Sequence, residues 1–125
     1  MLDTIRAGVH SVRADLHSHS FHSDGTMAPG DVTRRAADQG VELYALTDHD
    51  EVAGLAEATA AAAERSLAFV PGVEVSVTWG KTTVHIVGLG VNSEDATLRD
   101  RLAYVRSGRL RRAQEIDASL AAAGI

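Results

Sequence analysis

A short polar stretch near the amino terminus carries the side chains best suited to chemistry. It runs over residues 15–25 and holds three histidines and two aspartates among few apolar residues. His17 and His19 are two positions apart, so their side chains lie on one face of an extended segment. Two imidazoles on one face can chelate a metal, and a turn at residues 23–25 can bring Asp24 back towards them. This donor set suits zinc, manganese or iron.

A His-x-His pair alone is more often an exposed or hydrogen-bonded pair than a metal site. Further polar groups follow later apolar runs, and in a parallel sheet wrapped by helices such groups gather at the carboxyl ends of the strands. We therefore expect four strands to bring donors to one rim. For His22 and Asp50 we favour structural or loop roles. The donors after or within the later runs are Asp48, His49, Asp50, Glu74 and His85.

The elements that position these groups follow from apolar periodicity and from turn signals. The order β, α, β, α, β, β, α is typical of the opening part of an α/β barrel or a layered sheet. Residues 1–11 have weak periodicity and read as a lead-in, in which His10 has no assigned role. Predicted strands cover residues 12–16, 41–47, 67–70 (resuming as 73–79 after Pro71 and Gly72) and 82–89, and predicted helices cover 29–39, 55–65 and about 95–123.

Two of these elements carry finer predictions. In residues 73–79 the valines face one way and Glu74 the other, which leaves Glu74 open to a site. The run is predicted to form a hairpin with the next strand through Gly80 and Lys81. The last helix has an apolar stripe, with an irregularity expected at Ser107 and Gly108; the stripe contains Leu98, Leu102, Val105, Leu110, Ala113, Ile116 and Leu120.

Composition limits the classes of protein and of site. A chain of 125 residues with 45% hydrophobic and 23% charged content is typical of one globular domain, which we expect to cover residues 1–125. Because there is no cysteine, any metal must be held by nitrogen and oxygen ligands. No transmembrane run or signal-peptide pattern is present, so we expect a cytoplasmic location and no membrane partner.

Arginines cluster in the last helix although the net charge of the chain is −5. An acidic chain is a poor candidate for nonspecific nucleic-acid binding, but a local basic helix can still meet phosphate. For most of these arginines we favour a solvated helix face with ion pairs to Asp100 and Glu115. The cluster contains Arg99, Arg101, Arg106, Arg109, Arg111 and Arg112.

The motifs together resemble those of the PHP (polymerase and histidinol phosphatase) family of metal-dependent phosphoesterases. Residues 15–19 with 23–25 are similar to its first motif, residues 47–49 to its second, and residues 72–76 with His85 to its third. The resemblance covers nearly all of residues 13–125. Residues 109–113 are similar to a helix of the bacterial branch that removes phosphate from nucleoside 3′,5′-bisphosphates and trims short 5′-phosphorylated RNA.

The resemblance implies a fold, a set of cofactors and their ligands. The fold would be the amino-terminal part of a distorted seven-stranded (β/α) barrel. The cofactors would be up to three divalent ions, such as Mn²⁺, Zn²⁺, Fe²⁺ or Mg²⁺. Six side chains would hold them: His17, His19 and Glu74 for the first ion, Glu74 and His85 for the second, and Asp24 with His49 for the third.

The resemblance also implies hydrolysis of phosphate monoesters of nucleotides or of short 5′-phosphorylated oligonucleotides. Cations roughly 3.5–4 Å apart would favour formation of a hydroxide near neutral pH, which would attack phosphorus in line with the leaving oxygen. Arg109 or Arg112 would bind a nonbridging phosphate oxygen through its planar guanidinium. We expect Asp48 to be an outer acceptor that orients a ligand histidine, not a ligand itself.

Two alternatives remain open. The first is a metal hydrolase of the amidohydrolase type, which also begins with His-x-His on its first strand; the motifs at residues 47–49 and 72–74 argue against it.

The second alternative is an incomplete or split half that is not catalytic alone. The family continues past this chain and there supplies a further histidine and a closing Asp-x-His. We therefore expect weak metal binding by the isolated chain. We also expect a homodimer or a complementary carboxy-terminal segment to cover the open sheet edge.

Overall fold

The computed structural model describes residues 11–125; most of the predicted lead-in, including His10, lies outside the described residues. Within that range the α/β order predicted from the sequence is confirmed. The elements are β1 (Ala14–Asp15), α1 (Pro29–Asp38), β2 (Leu43–Leu46), α2 (Leu55–Glu64), β3 (Ala68–Trp79), β4 (Thr82–Leu89) and α3 (Ala96–Ala122).

The strands form one sheet in the order β1-β2-β3-β4. β1, β2 and β3 run parallel, joined by α1 and α2, and β4 turns back antiparallel to β3 as the predicted hairpin. Gly80 makes that turn with a φ of +61°, a conformation that glycine adopts without strain. The sheet curls as part of a barrel and carries polar groups at its carboxyl rim.

The core lies on β2, which is buried on both faces as its continuous apolar sequence predicts. Tyr44, Ala45 and Leu46 have no exposed surface, although their side chains alternate between the two faces. Alanines of α2 such as Ala58 and Ala62 are also buried, since their small side chains let the helix pack closely. Fully burying a side chain such as Leu46 contributes roughly 1.5–3 kcal/mol to stability.

β3 runs through Pro71 and Gly72, where the sequence predicted an interruption of the strand. It is one strand of 12 residues that changes partner at this point: Pro71 is the last residue paired with β2, and Gly72 is the first paired with β4. The missing N–H of the proline therefore falls where one pairing ends and the next begins. Gly72 is needed there, because a Cβ would lie 2.7 Å from Thr47 Cγ2.

α3 corrects two further expectations. It is continuous through Ser107 and Gly108, so the predicted irregularity is absent. Its apolar stripe is buried only towards the amino-terminal end, at Leu102, whereas Leu110 and Ile116 are 62% and 54% exposed. In the part of the chain that the structure describes, nothing covers this second half of the helix.

The outer edge of the sheet is also apolar and open. Val84, Ile86 and Leu89 of β4 are exposed, and no further strand pairs with β4 among residues 11–125. The expectation that a second copy or a carboxy-terminal segment covers this edge stays a prediction. Among the described helices, none combines the length and the apolar composition that crossing a membrane requires.

The buried Tyr44 gives the first testable prediction. Burial raises the pKa of its hydroxyl above the ordinary value, hydrogen bonds with Ser18 and Thr33 oppose this, and the charges of Asp15 and Asp48 add to it. The folded chain therefore holds the phenolic proton more tightly than the unfolded chain. The resulting stability is complete below about pH 10 and is lost as pH rises further.

The measurement uses a Tyr104→Phe variant, which leaves Tyr44 as the only tyrosine. Tyrosinate absorbance should rise at a higher pH in the folded variant than in the same variant unfolded by urea. Equal midpoints in the two states would contradict a buried Tyr44 hydroxyl.

Candidate metal centre

Backbone pairing between β2 and β3 continues beyond the end of β2 and aligns two of the predicted ligands. His49 and Glu74 form an isolated parallel bridge. The N–H of Glu74 donates to the carbonyl of Asp48 at 3.1 Å, and the N–H of Asp50 donates to the carbonyl of Glu74 at 2.9 Å. Because paired residues in neighbouring strands point to the same side, His49 and Glu74 reach the same space.

The His-x-His pair is oriented through the residue between its members. The N–H of Thr47 donates to the Ser18 carbonyl at 2.9 Å, and the Ser18 hydroxyl forms a 2.6 Å hydrogen bond with the Tyr44 hydroxyl. Ser18 therefore faces the core, and in extended backbone both of its neighbours must face away from it. This places His17 and His19 together at the carboxyl rim.

A tight turn after His19 returns Asp24 to the site. The N–H groups of Ser23 and Gly25 both donate to the carbonyl of Ser20. Gly25 packs so closely on the preceding backbone that a Cβ would lie 2.4 Å from the His19 carbonyl oxygen. The glycine lets the turn close and bring the Asp24 carboxylate beside the histidines.

Among the described residues, the direct partners of Asp48 are serines and not a histidine, so its predicted role in orienting a ligand histidine stays a prediction. Its buried carboxylate accepts hydrogen bonds from the Ser20 N–H at 2.7 Å, the Ser20 hydroxyl at 2.6 Å and the Ser23 hydroxyl at 2.7 Å. It forms no direct hydrogen bond to a histidine within residues 11–125; Ser23 Oγ, 3.5 Å from His19 Nδ1, lies between them. Asp48 thus holds the turn, because the serine donors lie nearer to it than any ring nitrogen.

Glu74 is the centre of the cluster. One of its carboxylate oxygens, Oε2, lies 2.8 Å from His17 Nε2, 3.2 Å from His19 Nε2 and 3.5 Å from His49 Nδ1. The other oxygen, Oε1, lies 3.6 Å from Nδ1 of His85, which β4 brings in from the opposite side. A single carboxylate therefore meets all four histidines of the predicted ligand set.

Asp24 closes the cluster on the solvent side. Its two oxygens lie 3.6 Å from His19 Nδ1 and 3.4 Å from His49 Nε2, while its side chain stays 67% exposed. The six predicted ligands therefore come together in three overlapping groups able to hold an ion: His17, His19 and Glu74; His19, Asp24 and His49; and His49, Glu74 and His85.

The nitrogen atoms of the cluster are arranged better for binding divalent cations than for hydrogen bonding to one another. The Nε2 atoms of His17 and His19 are 3.1 Å apart, although only one of the two can carry the proton shared in such a contact. Nδ1 of His49 is buried and has no hydrogen-bond partner among the described residues, because its 3.5 Å contact with Glu74 is not a hydrogen bond. Lone pairs that converge in this way are typical of metal ligands.

The protonation of Glu74 favours the same interpretation. Burial by itself raises the pKa of this carboxyl, but the hydrogen bond with His17 and the nearby charges of His49, His17 and His19 outweigh it. The net result is a lowered pKa. Glu74 is thus ionised near neutral pH, which is the form that binds a cation.

The arginines do not pair as predicted. Asp100 and Glu115 form no ion pair in the described part of the chain. Instead Arg106 and Arg109 of α3 reach the loop after β2, where Arg109 Nη1 lies 2.9 Å from Asp50 Oδ2. Arg109 and Arg112 both line a cavity of about 310 Å³ between α3 and the β3–β4 hairpin. Their proposed contact with phosphate stays a prediction.

The role of Ser18, whose hydrogen bonds to Tyr44 and Thr47 orient the histidines on either side of it, was not predicted from the sequence. The signal for Ser18 was its place between two histidines, since one face of the segment must meet the core.

The burial and hydrogen bonds of Asp50 agree with the structural role predicted for it, although its partners Ser76 and Arg109 were not predicted. His22, for which we predicted a structural role, belongs to none of the three groups found among residues 11–125.

A family model described as the PHP domain matches residues 15–109. The chain is 56% identical over 111 residues to a 3′,5′-nucleoside bisphosphate phosphatase of Chromobacterium violaceum, covering 89% of this chain and 39% of that protein. It is 41% identical over 111 residues to a 5′-3′ exoribonuclease of Haemophilus influenzae, covering 89% and 40%. The chain therefore spans about two fifths of the length of these relatives.

Two solved structures share this fold. One is an amidohydrolase from Chromobacterium violaceum with bound sulfate and no metal, at a TM-score of 0.82 and 55% identity, covering 90% of this chain and 40% of that one. The other is assigned as a metal-dependent phosphoesterase from Bifidobacterium adolescentis, at a TM-score of 0.78 and 30% identity, covering 86% and 38%.

The cluster predicts that divalent ions stabilise the folded chain through Glu74. Adding Mn²⁺ or Zn²⁺ should raise the melting temperature, because an ion that binds only the folded state stabilises it. Glu74→Gln should abolish most of this rise, since loss of a direct ligand should weaken binding by more than the about 10 to 100-fold typical of an outer contact. Thermal melts with and without metal measure the difference.

His22→Ala is the matched control, because it removes a histidine of the same loop that lies outside the three groups. This variant should keep the full metal-induced rise. An equal rise in the Glu74→Gln variant would show that the ions bind elsewhere.

Proposed function

The chain belongs to the PHP domain family of metal-dependent phosphoesterases, and on that premise we propose that it hydrolyses phosphate monoesters of nucleotides. The substrates would be nucleoside 3′,5′-bisphosphates or short 5′-phosphorylated oligonucleotides. The names of the two relatives support this choice, since one is a nucleoside bisphosphate phosphatase and the other a 5′-3′ exoribonuclease. We further propose that residues 1–125 form one domain or the first part of one.

The observation that carries the proposal is the position of Glu74. Its side chain is 7% exposed, and its two oxygens lie within 3.6 Å of ring nitrogens from four histidines. A structural carboxylate such as Asp48 is met by N–H and hydroxyl donors, whereas four imidazoles around one carboxylate are unfavourable unless they hold cations. The three groups contain the ligands that the family resemblance implied for each ion, with His19 added beside Asp24 and His49 added beside His85, and this supports the proposal.

The side chains of the chain would divide the work. Divalent ions, when bound, would supply a lowered pKa for nearby water and neutralise phosphate charge. The imidazoles and Glu74 would fix the positions of the ions, and Asp24 would complete them at the open face. Arg109 or Arg112 would donate to a nonbridging phosphate oxygen from the neighbouring cavity. Asp48 would keep the turn, and with it His19 and Asp24, in place.

Sulfate in the Chromobacterium violaceum structure also supports an ester of phosphate as substrate. Sulfate is a tetrahedral oxyanion like phosphate, and that protein shares 55% of its sequence with this chain over the matched region. That protein therefore binds an anion with the shape and charge type of the proposed substrate group.

A second candidate activity is amide or lactone hydrolysis, because that same structure is named an amidohydrolase. Both classes of enzyme begin with a His-x-His pair. The motifs around His49 and Glu74 favour the phosphoesterase. Assays with an amide, a lactone and a phosphate ester side by side would separate the two activities.

A third candidate is a site completed by further chain. Three four-coordinate ions need about twelve donor atoms, more than six side chains supply. Under this proposal the isolated chain binds metal weakly and turns over little. Elemental analysis together with the mass in solution tests it, since full stoichiometric metal in a monomer would contradict it.

The activity prediction concerns phosphate release from a nucleoside 3′,5′-bisphosphate. Release should require Mn²⁺ or a similar ion, and His17→Ala or Glu74→Gln should reduce it to background because each removes a metal ligand. A colorimetric phosphate assay on the purified chain measures this.

His22→Ala is again the control and should keep the activity of the unsubstituted chain. Activity that survives loss of His17 or Glu74 would refute their roles. No metal-dependent release by the unsubstituted chain would reject hydrolysis by this chain and favour a site completed by further sequence.

A further inference from the structure

Asp50 is a buried acid for which the proposed metal chemistry has no use. Its side chain is fully buried. One carboxylate oxygen, Oδ1, accepts from the Ser76 N–H at 2.7 Å, and the other, Oδ2, accepts from Arg109 Nη1 at 2.9 Å. Its φ of +51° lies in the left-handed region, which aspartate and asparagine tolerate better than most residues. A buried carboxylate is stable only with such partners, so its position is closely determined.

The partner of Asp50, Arg109, stands between the metal centre and the neighbouring cavity. Its guanidinium Nη1 also lies 3.3 Å from Ser76 Oγ, and Ser76 Oγ lies 3.4 Å from Nδ1 of His85, a predicted metal ligand. The side chain of Arg109 is still 49% exposed and lines the cavity of about 310 Å³. One salt bridge therefore fixes an arginine two contacts away from the metal centre.

The cavity carries positive charge that the described residues do not neutralise. Arg111 and Arg112 line it with Arg109, and neither forms an ion pair within residues 11–125. Thr78 and Thr83 of the β3–β4 hairpin also line the cavity. A guanidinium has five N–H donors, and the Arg109 contacts with Asp50 and Ser76 both use Nη1, which leaves the others free. In a chain of net charge −5, such a cavity is suited to an oxyanion.

We propose that Asp50 is a positioning residue, which holds Arg109 so that its free N–H groups bind an anionic oxygen of the substrate beside the metal centre. The anion is a phosphate group, so this inference rests on the proposed function. Asp50 itself does not touch the substrate. A guanidinium that is already held in place loses less conformational entropy on binding than a free one.

A purely structural role is the competing explanation, and Arg106 provides the control for it. Arg106 ties the same helix to the same loop, through the carbonyl of Asp50 and the carboxylate of Glu51 at 3.2 Å. It does not line the cavity. Arg106→Gln therefore loosens the junction between loop and helix without removing a donor from the anion site.

The first experiment titrates inorganic phosphate into the metal-free chain by calorimetry or NMR. Asp50→Asn keeps an oxygen for the Ser76 N–H but removes the charge that holds Arg109, and it should weaken phosphate binding about tenfold or more. Arg109→Gln should weaken it at least as much. The double variant should be no worse than Arg109→Gln alone, because both changes remove one interaction. Arg106→Gln should bind phosphate as the unsubstituted chain does.

The second experiment compares the melting temperatures of the single and double variants. It separates the contribution of Asp50 to stability from its contribution to phosphate binding. Arg109→Gln leaves the buried Asp50 charge unpaired and should lower the melting temperature by several degrees, about 5 °C or more. Adding Asp50→Asn to it removes that charge and should restore most of the loss. The double variant would then be stable and still fail to bind phosphate.

Three outcomes of the binding experiment would overturn the inference: undiminished phosphate binding by Asp50→Asn, equal weakening by Arg106→Gln, or no measurable binding by the unsubstituted chain. The test is separate from that of the proposed function, since phosphate binding needs neither metal nor turnover. If the chain also hydrolyses nucleotides, Asp50→Asn should raise KM while kcat changes less. Turnover with an unchanged KM would reject the role of Asp50 and leave the phosphoesterase intact.

Discussion

The site depends on one constraint: the chain that follows β2 continues to pair in parallel with β3. It sets His49 opposite Glu74 through two backbone hydrogen bonds to Glu74, of 3.1 and 2.9 Å. A shift of one residue in this register would turn Glu74 to the other face of the sheet and remove the carboxylate from all four histidines. β1 and β4 only add ligands to a position that β2 and β3 have already defined. The apolar core on Tyr44 and Leu46 matters to function because it prevents that shift.

Three successive residues after β2 contact three different parts of the structure around the site. Asp48 accepts from serines of the turn that carries Asp24, His49 points into the cluster, and Asp50 accepts from Arg109 of α3. Asp48 and Asp50 are both buried and ionisable, so each must be met by several donors. Those donors come from segments far apart in the sequence. The hydrogen bonds that these two buried carboxylates require therefore fix the turn and α3 in position relative to His49, which lies between them in the sequence.

The secondary structure and the candidate ligands could be predicted from local sequence patterns. The side-chain partners could not, because they come from segments far apart in the sequence. The three helices, the hairpin and the buried β2 follow from periodicity, and most candidate ligands follow an apolar run, whereas His85 lies within one and Asp24 in a turn. Asp48 was paired with a histidine, since nothing local shows that the serine hydroxyls come nearer. Arginine partners were sought one or two turns away on α3, whereas Arg109 pairs with Asp50, 59 positions earlier. The buried stripe of α3 was predicted to run the length of the helix, whereas its second half is exposed. Periodicity shows which residues share a face of a helix, but not which other segments cover that face.

The side chains of the cluster differ in how far they are exposed to solvent. Glu74 is 7% exposed, whereas the side chains of His17 and Asp24 are 53% and 67% exposed. The charge most costly to desolvate thus lies deepest, where bound cations would compensate it, and the more hydrated donors form the mouth. His85 stands at the border with the arginine-lined cavity, through its contact with Ser76. A phosphate that enters from solvent would meet the open ligands first, and its remaining charge would lie next to Arg109. Arg109 pairs with the buried Asp50 and forms no ion pair with Glu74 among the described residues, so the Glu74 carboxylate is left to its four imidazoles.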